Sequence, residues 1–284
     1  MISIIVVCYN AGSKLKLTLD SIYSQDCNEY EVIIKDGCSH DDSLALLQDT
    51  GYFDIDNRRD RTRIYIGRDS GIYDAMNQAV EFLDDCDDKE HLVMFLNCGD
   101  LFMDNSVVRT TLEKMRATER VDIPTIYYGN EYNEQIDTII TSSPKLDEFA
   151  LFRNVPCHQV CFYEASLFKR RDDGSTPYNT EYRVRADYEH FLYSVYAKNA
   201  RTVYMNFPVA RYEGGGYSET VENLKRSHEE HRRITDEYMG ENARKYRIRM
   251  ALTGAKLRTY FANSPAFCKG YNSIKSKIYE YKSR

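Results

Sequence analysis

The sequence of 284 residues lacks three features that would each indicate a particular class of protein. It has no apolar run near the roughly 20 residues that a membrane-spanning helix needs. It has no G-x-G-x-x-G after its first apolar segment, which argues against a Rossmann dehydrogenase. The N-terminal segment MISIIVVCYN has no basic residues ahead of its apolar run, so we do not expect a signal peptide.

The eight cysteines also lack the C-x-x-C spacing that is typical of zinc and redox sites, and the closest pair is Cys157 and Cys161. Cys8, Cys98 and Cys161 lie in apolar or strand-like segments. We interpret the cysteines as reduced thiols of a cytosolic protein and expect neither a disulfide framework nor zinc. With 42% hydrophobic and 29% charged residues, the composition suits a soluble globular protein with a sizeable core.

The net charge of −6 is unevenly distributed. Residues 244–284 hold 11 Lys and Arg and one acid, so the other 243 residues carry a net charge of −16. Such an acidic body would repel the phosphates of a nucleic acid, so we expect no nucleic-acid partner. The basic tail places Ile248 and Leu252 at helical spacing. It therefore predicts a helix that lies on an anionic membrane surface or, alternatively, packs on the body of the protein.

Strand and helix patterns alternate along the first hundred residues. Apolar runs predict buried strands at 2–8, 31–35, 63–67 and 92–96. Helical spacing predicts helices over 14–24, with Ser13 as N-cap, over 73–83, and over a short segment from Ser39 to Leu47. This alternation predicts a parallel sheet covered by helices on both faces. The second half is less regular, with helices predicted at 106–116, 187–196 and 222–238 and strands at 125–132, 138–141, 158–163 and 202–207.

Polar turns follow three of the predicted strands, at residues 8–10, 36–37 and 97–100. The carboxyl ends of parallel strands meet at one edge of the sheet, where open α/β sheets bind ligands. Asp100 can offer oxygen ligands to a divalent cation, and Gly99 allows a backbone or a phosphate to approach closely. The alternative for this last turn is that it only caps the strand.

Several motifs occur in a specific order: SIIVVCYN at 3–10, EVIIKDGCS at 31–39, DSGIYDAMN at 69–77, FLNCGD at 95–100, HQ at 158–159 and ADYE at 186–189. As a set they resemble the family 2 glycosyltransferases, and most of all the branch that builds capsules and exopolysaccharides. The resemblance implies an α/β fold of the GT-A (Rossmann-like) type, a mostly parallel sheet flanked by helices. It places a nucleotide-binding half at 1–104, an acceptor half at 105–220, and a basic helical C-terminal extension at 221–284.

The resemblance also implies an activity. Such an enzyme transfers a sugar from a nucleotide-sugar, here a UDP-sugar, to a hydroxyl of a glycan or lipid-linked acceptor by inverting single displacement. It would serve cell-surface polysaccharide biosynthesis from the cytoplasm, at the inner face of the plasma membrane. The implied donor-binding residues are Val7, Cys8, Tyr9, Asn10, Asp36, Asp69, Asn97, Cys98 and Gly99.

Two of these residues have specific implied roles. Asp36 would accept the uracil N3–H, and its alternative is a turn aspartate before a glycine. Asp69 would contact the nucleoside or ribose, and its alternative is a helix cap. The glycine run at 214–216 resembles a segment that closes over the donor, with a simple linker as the alternative.

The remaining implied residues carry the chemistry. Asp100 would hold Mg²⁺ or Mn²⁺ against the diphosphate, although Asn97 and Gly99 stand where the family's D-x-D pattern often has acids. Asp187 would be the catalytic base, with a helix N-cap as the alternative role, and Ala186 replaces the first acid of the family's E-D pair.

His158 and Gln159 would line the acceptor or diphosphate side of the same site. The missing acids motivate a second hypothesis, a nucleotide-sugar-binding or scaffold protein of the same fold that has lost catalysis.

Overall fold

The computed structural model describes residues 1–47, 61–84, 86–214, 220–254, 261, 264 and 267–282. Its strands are β1 (Ile2–Cys8), β2 (Tyr30–Asp36), β3 (Thr62–Ile66), β4 (Leu92–Phe95), β5 (Leu101–Phe102), β6 (Thr125–Asn133), β7 (Thr138–Ile140), β8 (Cys161–Glu164) and β9 (Arg201–Tyr212). Its helices are α1 (Ser13–Tyr23), α2 (Ile72–Val80), α3 (Val107–Ala117), α4 (Glu148–Arg153), α5 (Ala186–Tyr196), α6 (Val221–Met239), α7 (Glu241–Leu252) and α8 (Cys268–Lys282).

The described strands form one sheet in the order β3-β2-β1-β4-β8-β6-β9-β5, with β7 paired to β6. The first four positions, β3 to β4, are all parallel. Beyond β4 the sheet becomes mixed, because β8 runs antiparallel to both of its neighbours whereas β6 and β9 are parallel. The α/β fold class is therefore confirmed, with the parallel character concentrated in the N-terminal half.

The core of the sheet follows directly from the apolar runs. All seven residues of β1 and all four of β4 are buried, as expected for strands covered on both faces. The backbone beyond these strands stays in register, since Gly37 N–H donates to Cys8 O at 2.9 Å and Leu96 N–H to Ile5 O at 2.9 Å. The turns after β1, β2 and β4 consequently meet at one edge of the sheet.

Some local predictions were wrong in detail. Gly12, not Ser13, is the N-cap of α1, and its N–H donates to Asp41 Oδ2 and Ser43 Oγ. The predicted helix from Ser39 to Leu47 is only a 3₁₀ turn at Ala45–Leu47. The Asp41 and Ser43 side chains instead accept from the backbone N–H groups of Ser43 and Gly12, which competes with helix formation.

The strand predicted at 158–163 begins only at Cys161. His158–Val160 form a 3₁₀ turn, in which Val160 N–H donates to Cys157 O at 3.1 Å. The two polar residues predicted for the site, His158 and Gln159, therefore lie on this turn.

The C-terminal extension contacts the body of the protein. α8 packs beside β7, where Thr141 Oγ1 donates to Ser276 Oγ at 3.0 Å and Lys269 pairs with Asp137 at 2.7 Å. For α8, the alternative of packing on the body is thus the one that the structure shows. None of the described helices is long and apolar enough to cross a membrane.

Candidate active site

Two adjoining cavities open at the edge where the strand turns meet. The smaller has a volume of about 490 Å³ and the larger of about 910 Å³. They share a wall formed by Lys14, Tyr73, Asn97 and Cys98, together with Ile72. Both volumes lie within the range of about 300–1,000 Å³ that is usual for ligand sites, so each can hold part of a larger ligand.

The smaller cavity is lined by six of the predicted donor-binding residues: Asn97 and Cys98 of the shared wall, and Val7, Cys8, Tyr9 and Asp69. Asp69 Oδ2 pairs with the buried Lys35 Nζ at 3.2 Å, and its Oδ1 accepts from Gly71 N–H at 3.1 Å. The N-cap of α2 is Gly71, so Asp69 is not the helix cap. The ion pair with Lys35 instead holds the carboxylate at the cavity wall.

Two predicted donor-binding residues line neither cavity. Asp36 is fully buried, and its carboxylate accepts from Ser39 N–H at 2.8 Å, Ser39 Oγ at 2.6 Å and Cys8 Sγ at 3.2 Å. Asn10 is exposed, and its Oδ1 accepts from His40 N–H at 2.9 Å. Both side chains here tie the turns after β1 and β2 together, and their contact with a nucleotide stays a prediction.

The larger cavity contains the turn that follows β4. Gly99 has a φ of 103°, which glycine adopts without strain, and its N–H donates to Thr18 Oγ1 at 3.0 Å. The same hydroxyl donates to Asp100 O at 2.9 Å, so α1 fixes the turn. Burial raises the pKa of Asp100 to about 7, although the nearby His158 acts in the opposite direction. A bound cation would restore the charged form of this carboxyl group.

The oxygen ligands of this turn fit a divalent ion whose coordination shell a bound substrate would complete. Asn97 Oδ1 is buried in the cavity wall and accepts no hydrogen bond within the described part of the chain. The described residues contain no cluster of three or more His, Cys, Asp or Glu that could hold a metal by themselves. Mg²⁺ is commonly held by one or two carboxylates plus substrate phosphates, which suits Asp100 with Asn97 beside it.

Asp187 lies on the opposite side of the same cavity, in the first turn of α5. Its Oδ1 accepts from the Tyr73 hydroxyl at 3.0 Å, and its Oδ2 lies 3.5 Å from His158 Nδ1. Burial opposes ionisation of Asp187, but the hydrogen bond and charge of His158 hold its pKa below the usual value. Arg185, not Asp187, is the N-cap of α5.

His158 connects the two sides of the site. Its Nε2 lies 2.9 Å from Asn97 Nδ2, while its Nδ1 faces Asp187. Gln159, the other residue predicted here, is buried and lines the same cavity. Asn97, His158 and Asp187 thus form a chain from the turn after β4 to the predicted base.

The loop before α5 is held by a residue that sequence reasoning missed. Glu230 of α6 accepts three backbone N–H groups, those of Arg183 at 2.8 Å, Val184 at 2.9 Å and Arg185 at 2.9 Å. A carboxylate that accepts several charge-assisted hydrogen bonds makes a rigid support. The C-terminal extension, through α6, therefore positions Asp187.

Lys14 and Tyr73 were also missed as site residues. Lys14 reaches the shared cavity wall from the first turn of α1 and pairs with Glu213 at 2.6 Å. Its position just after the first polar turn was an available signal for a phosphate contact. Tyr73 lies inside the DSGIYDAMN motif, but only the fold brings its hydroxyl to Asp187. The glycine run at 214–216 lies mostly outside the described residues.

Comparison with known proteins identifies the family of this chain. Residues 3–181 match the family described as Glycosyl transferase family 2. The chain is 31% identical over 230 residues to proteins named PGL/p-HBAD biosynthesis glycosyltransferase from Mycobacterium bovis and Mycobacterium tuberculosis. These alignments cover 80% of this chain and 83% of each relative.

Solved structures share the fold at low sequence identity. S. aureus TarS 1–349 in complex with UDP-GlcNAc gives a TM-score of 0.63 at 16% identity, covering 93% of this chain and 74% of that one. The mannosyltransferase PcManGT from Pyrobaculum calidifontis, in complex with GDP-Man and Mn²⁺, gives 0.54 at 13% identity, covering 100% and 88%. The chain therefore belongs to glycosyl transferase family 2 and is a glycosyltransferase with the GT-A fold.

Proposed function

We propose that this enzyme transfers a sugar from a UDP-sugar to a hydroxyl of a glycan or lipid-linked acceptor, with inversion at the anomeric carbon. One observation carries the proposal: Asp187 and the turn that ends in Asp100 line the same cavity, which adjoins the smaller cavity beyond Asn97 and Cys98. A donor that spans the shared wall would place its anomeric carbon on the side of Asp187.

The nucleoside belongs in the smaller cavity, between Val7, Cys8 and Tyr9 on one side and Asp69 on the other. The structural neighbour TarS, which binds UDP-GlcNAc, supports a uridine donor. Asp36 would act from behind the wall of the smaller cavity, because its carboxylate already accepts hydrogen bonds from Cys8 and Ser39. We propose that 1–104 serve donor binding and 105–220 serve acceptor binding.

The diphosphate belongs at the shared wall, beside Gly99 and Lys14. Asp100, with Asn97 beside it, would hold Mg²⁺ or Mn²⁺, and the bound ion would stabilise the negative charge that collects on the departing nucleoside diphosphate. The neighbour PcManGT, which binds Mn²⁺, supports a divalent cofactor. Lys14 adds a positive charge that does not depend on the metal.

Asp187 would act as the base. Its lowered pKa means that the carboxylate is ionised at neutral pH and can accept the proton of an attacking hydroxyl. The Tyr73 hydroxyl holds Oδ1, so Asp187 keeps one orientation while Oδ2 remains on the side of His158 and the cavity. Attack from the face opposite the diphosphate gives inversion. His158 and Gln159 would then line the acceptor side.

The exposed surface of α7 supports a proposal about the acceptor and the cellular location. Ile248 and Leu252 are 55% and 82% exposed and lie one helical turn apart, beside Lys245 and Arg249. An exposed apolar pair with flanking cations fits an anionic lipid surface. We therefore propose peripheral contact with the inner face of the plasma membrane, a lipid-linked or glycan acceptor, and a role in surface polysaccharide or glycolipid synthesis. The mycobacterial relatives named for PGL/p-HBAD biosynthesis support this role.

The test is a screen of UDP-sugars and GDP-sugars by thermal shift, with and without Mn²⁺. A donor that binds only the folded chain should raise its melting temperature by mass action. The stabilising donor is then incubated with lipid extract or glycan, and NMR reports the anomeric configuration of the product. Inverted product supports the proposal, and retained configuration contradicts the proposed displacement.

Asp187→Asn separates the enzyme from the scaffold alternative. We expect this variant to bind the donor normally but to lose transfer by about 10²- to 10⁴-fold, the usual range for a general base. Asp122→Asn is the matched control, because this side chain is 98% exposed and its ion pair among the described residues is with Lys89 on the surface. If the wild type, Asp187→Asn and Asp122→Asn all fail to transfer sugar from every donor that binds, the non-catalytic scaffold is favoured.

A further inference from the structure

The end of the larger cavity away from the donor is closed by the C-terminal extension. Tyr271, Asn272, Lys275 and Tyr279 of α8 line it, and so does Arg153 at the end of α4. With about 910 Å³, the cavity exceeds what a diphosphate and one sugar require. This end therefore offers room for a second substrate beside the donor.

Two cations face this space without a counter-ion. Within the described residues, neither Lys275 nor Arg153 has a carboxylate within 4.0 Å. Lys275 Nζ lies 5.3 Å from the centre of the Tyr279 ring, and Arg153 lies 5.4 Å from that of Phe149. Burial lowers the pKa of Lys275, and its neighbour Arg153 adds to this effect. A partly desolvated cation beside a second cation is stabilised when an anion binds both.

One acid lies on the same wall. Glu131 is buried and lines the cavity, and its charge contributes to raising the pKa of the nearby Cys157 thiol. Its charge acts on Lys275 at a distance, but it forms no ion pair with it. A carboxylate in this position can accept hydrogen bonds from sugar hydroxyls, which suits a ligand that carries both hydroxyls and an anion.

We propose that Lys275 and Arg153 form a subsite for a phosphate group on the acceptor. The inference rests on the proposed function and adds the chemical class of the second substrate. The Arg153 guanidinium matches two phosphate oxygens, while Lys275 supplies a compact charge. The anion anchors the acceptor at α8, and the rest of the cavity leads from there to Asp187.

The test measures binding to the full chain with UDP present, by isothermal titration calorimetry. Glucose 1-phosphate and methyl α-glucoside are the matched probes, since they share the sugar and differ in the phosphate. We expect the phosphate probe to bind at least about tenfold more tightly. Lys275→Gln and Arg153→Gln should each weaken it about tenfold, whereas Lys277→Gln, an exposed lysine on the same helix, should not.

Two further probes identify the source of the phosphate. If inorganic phosphate binds as tightly as glucose 1-phosphate and is equally sensitive to both variants, the subsite recognises the free anion. If n-octyl phosphate binds more tightly than inorganic phosphate, the subsite recognises a lipid-linked phosphate. Either result supports the subsite. Lys275→Arg keeps the charge and should retain binding within about threefold, and circular dichroism verifies that the variants fold.

The subsite is refuted if the two sugars bind equally, or if Lys277→Gln weakens binding as much as Lys275→Gln. The second result would show only a general attraction to the basic tail. The UDP titration separates this failure from failure of the proposed function. A chain that binds UDP but shows no preference for the phosphate probe loses the subsite alone, while a chain that binds no nucleotide loses the proposed function.

Discussion

His190 provides a quantitative test of how the helix that carries Asp187, the proposed base, is held. It lies on α5, three residues after Asp187, and is fully buried. Its ring packs on Phe168 and Tyr178, with ring centres 4.8 and 4.9 Å apart, and its Nδ1 lies 3.2 Å from Pro177 O. Its Nε2 has no hydrogen-bond partner in the part of the chain that the structure describes. Such an imidazole is stable only when neutral.

Burial lowers the pKa of His190 to about 3, and the nearby Arg171 adds to this effect. The unfolded chain binds a proton at this position below about pH 6.5, whereas the folded chain does not until about pH 3. The free energy of unfolding therefore decreases as the pH falls through this window, by about 1.4 kcal/mol per pH unit from this residue. At about pH 4.5 the loss is roughly 3 kcal/mol, against a typical total of about 5–15 kcal/mol.

The assay is urea unfolding between about pH 4.5 and 7.5 for the wild type and His190→Phe. Phenylalanine keeps the aromatic packing, loses the contact with Pro177 O and cannot take a proton. The free energy of unfolding of this variant should thus decrease less steeply than that of the wild type as the pH falls. Below about pH 6 its slope should be smaller by about 1.4 kcal/mol per pH unit. His228→Phe, at an exposed position on α6, is the control and should keep the wild-type slope. Parallel curves for wild type and His190→Phe would refute the reasoning.

Three further predictions concern the site and its support. Tyr73→Phe removes a hydrogen bond to Asp187 and should lower kcat about tenfold in steady-state kinetics, with the donor KM unchanged. Asp100→Asn removes the only carboxylate of the turn, so calorimetry should show Mn²⁺-dependent UDP binding at least about tenfold weaker and metal-free binding unchanged. Glu189→Gln leaves Arg171, whose side chain is 11% exposed, without its bidentate partner and should lower the free energy of unfolding by about 3 kcal/mol in urea.

Each of these predictions has an outcome that contradicts it. A Tyr73→Phe variant that changes only KM would show that this hydroxyl binds substrate and does not position the base. Unaltered Mn²⁺ dependence in Asp100→Asn would place the metal on other ligands. If Glu189→Gln lowers the free energy of unfolding by less than about 1 kcal/mol, solvent or the Tyr193 ring stabilises the Arg171 charge in place of Glu189. The Arg171 guanidinium lies 4.1 Å from the centre of that ring.

The fold of the N-terminal half could be predicted from sequence because its signals are local. A fully apolar run such as β1 or β4 must be buried on both faces, and the polar turn after it must then lie at the sheet edge. The turn at 97–100 lies at this edge, as expected, and Asp187, which the family resemblance and not the strand pattern placed in the site, lines the same cavity. The helix prediction failed for the 39–47 segment, because Asp41 and Ser43 bind backbone groups of the first turn, and no spacing rule reports that.

The second half of the site depends on contacts between distant segments. Tyr73 meets Asp187 across 114 positions, and Glu230 meets the loop before α5 across about 45. The motif around Tyr73 does not show which side chain its hydroxyl meets, and nothing in the sequence around Glu230 distinguishes it from an ordinary helix residue. The sequence of the basic tail likewise allowed its helices to lie either on a membrane surface or on the body of the protein. Only the packing of α8 beside β7 places Lys275 at the larger cavity.

The sequence by itself determined the parallel core and the polar strand ends, because apolar periodicity and turn chemistry act over a few neighbouring residues, and its ordered motifs carried the resemblance to the family. Only the tertiary structure decided which polar groups face one another: Asp36 turns to Ser39 behind the cavity wall, and Asp187 turns to Tyr73 and His158 within it. The physical reason is that a side chain's partners, burial and charge state depend on every segment packed around it, and those segments come from all parts of the chain.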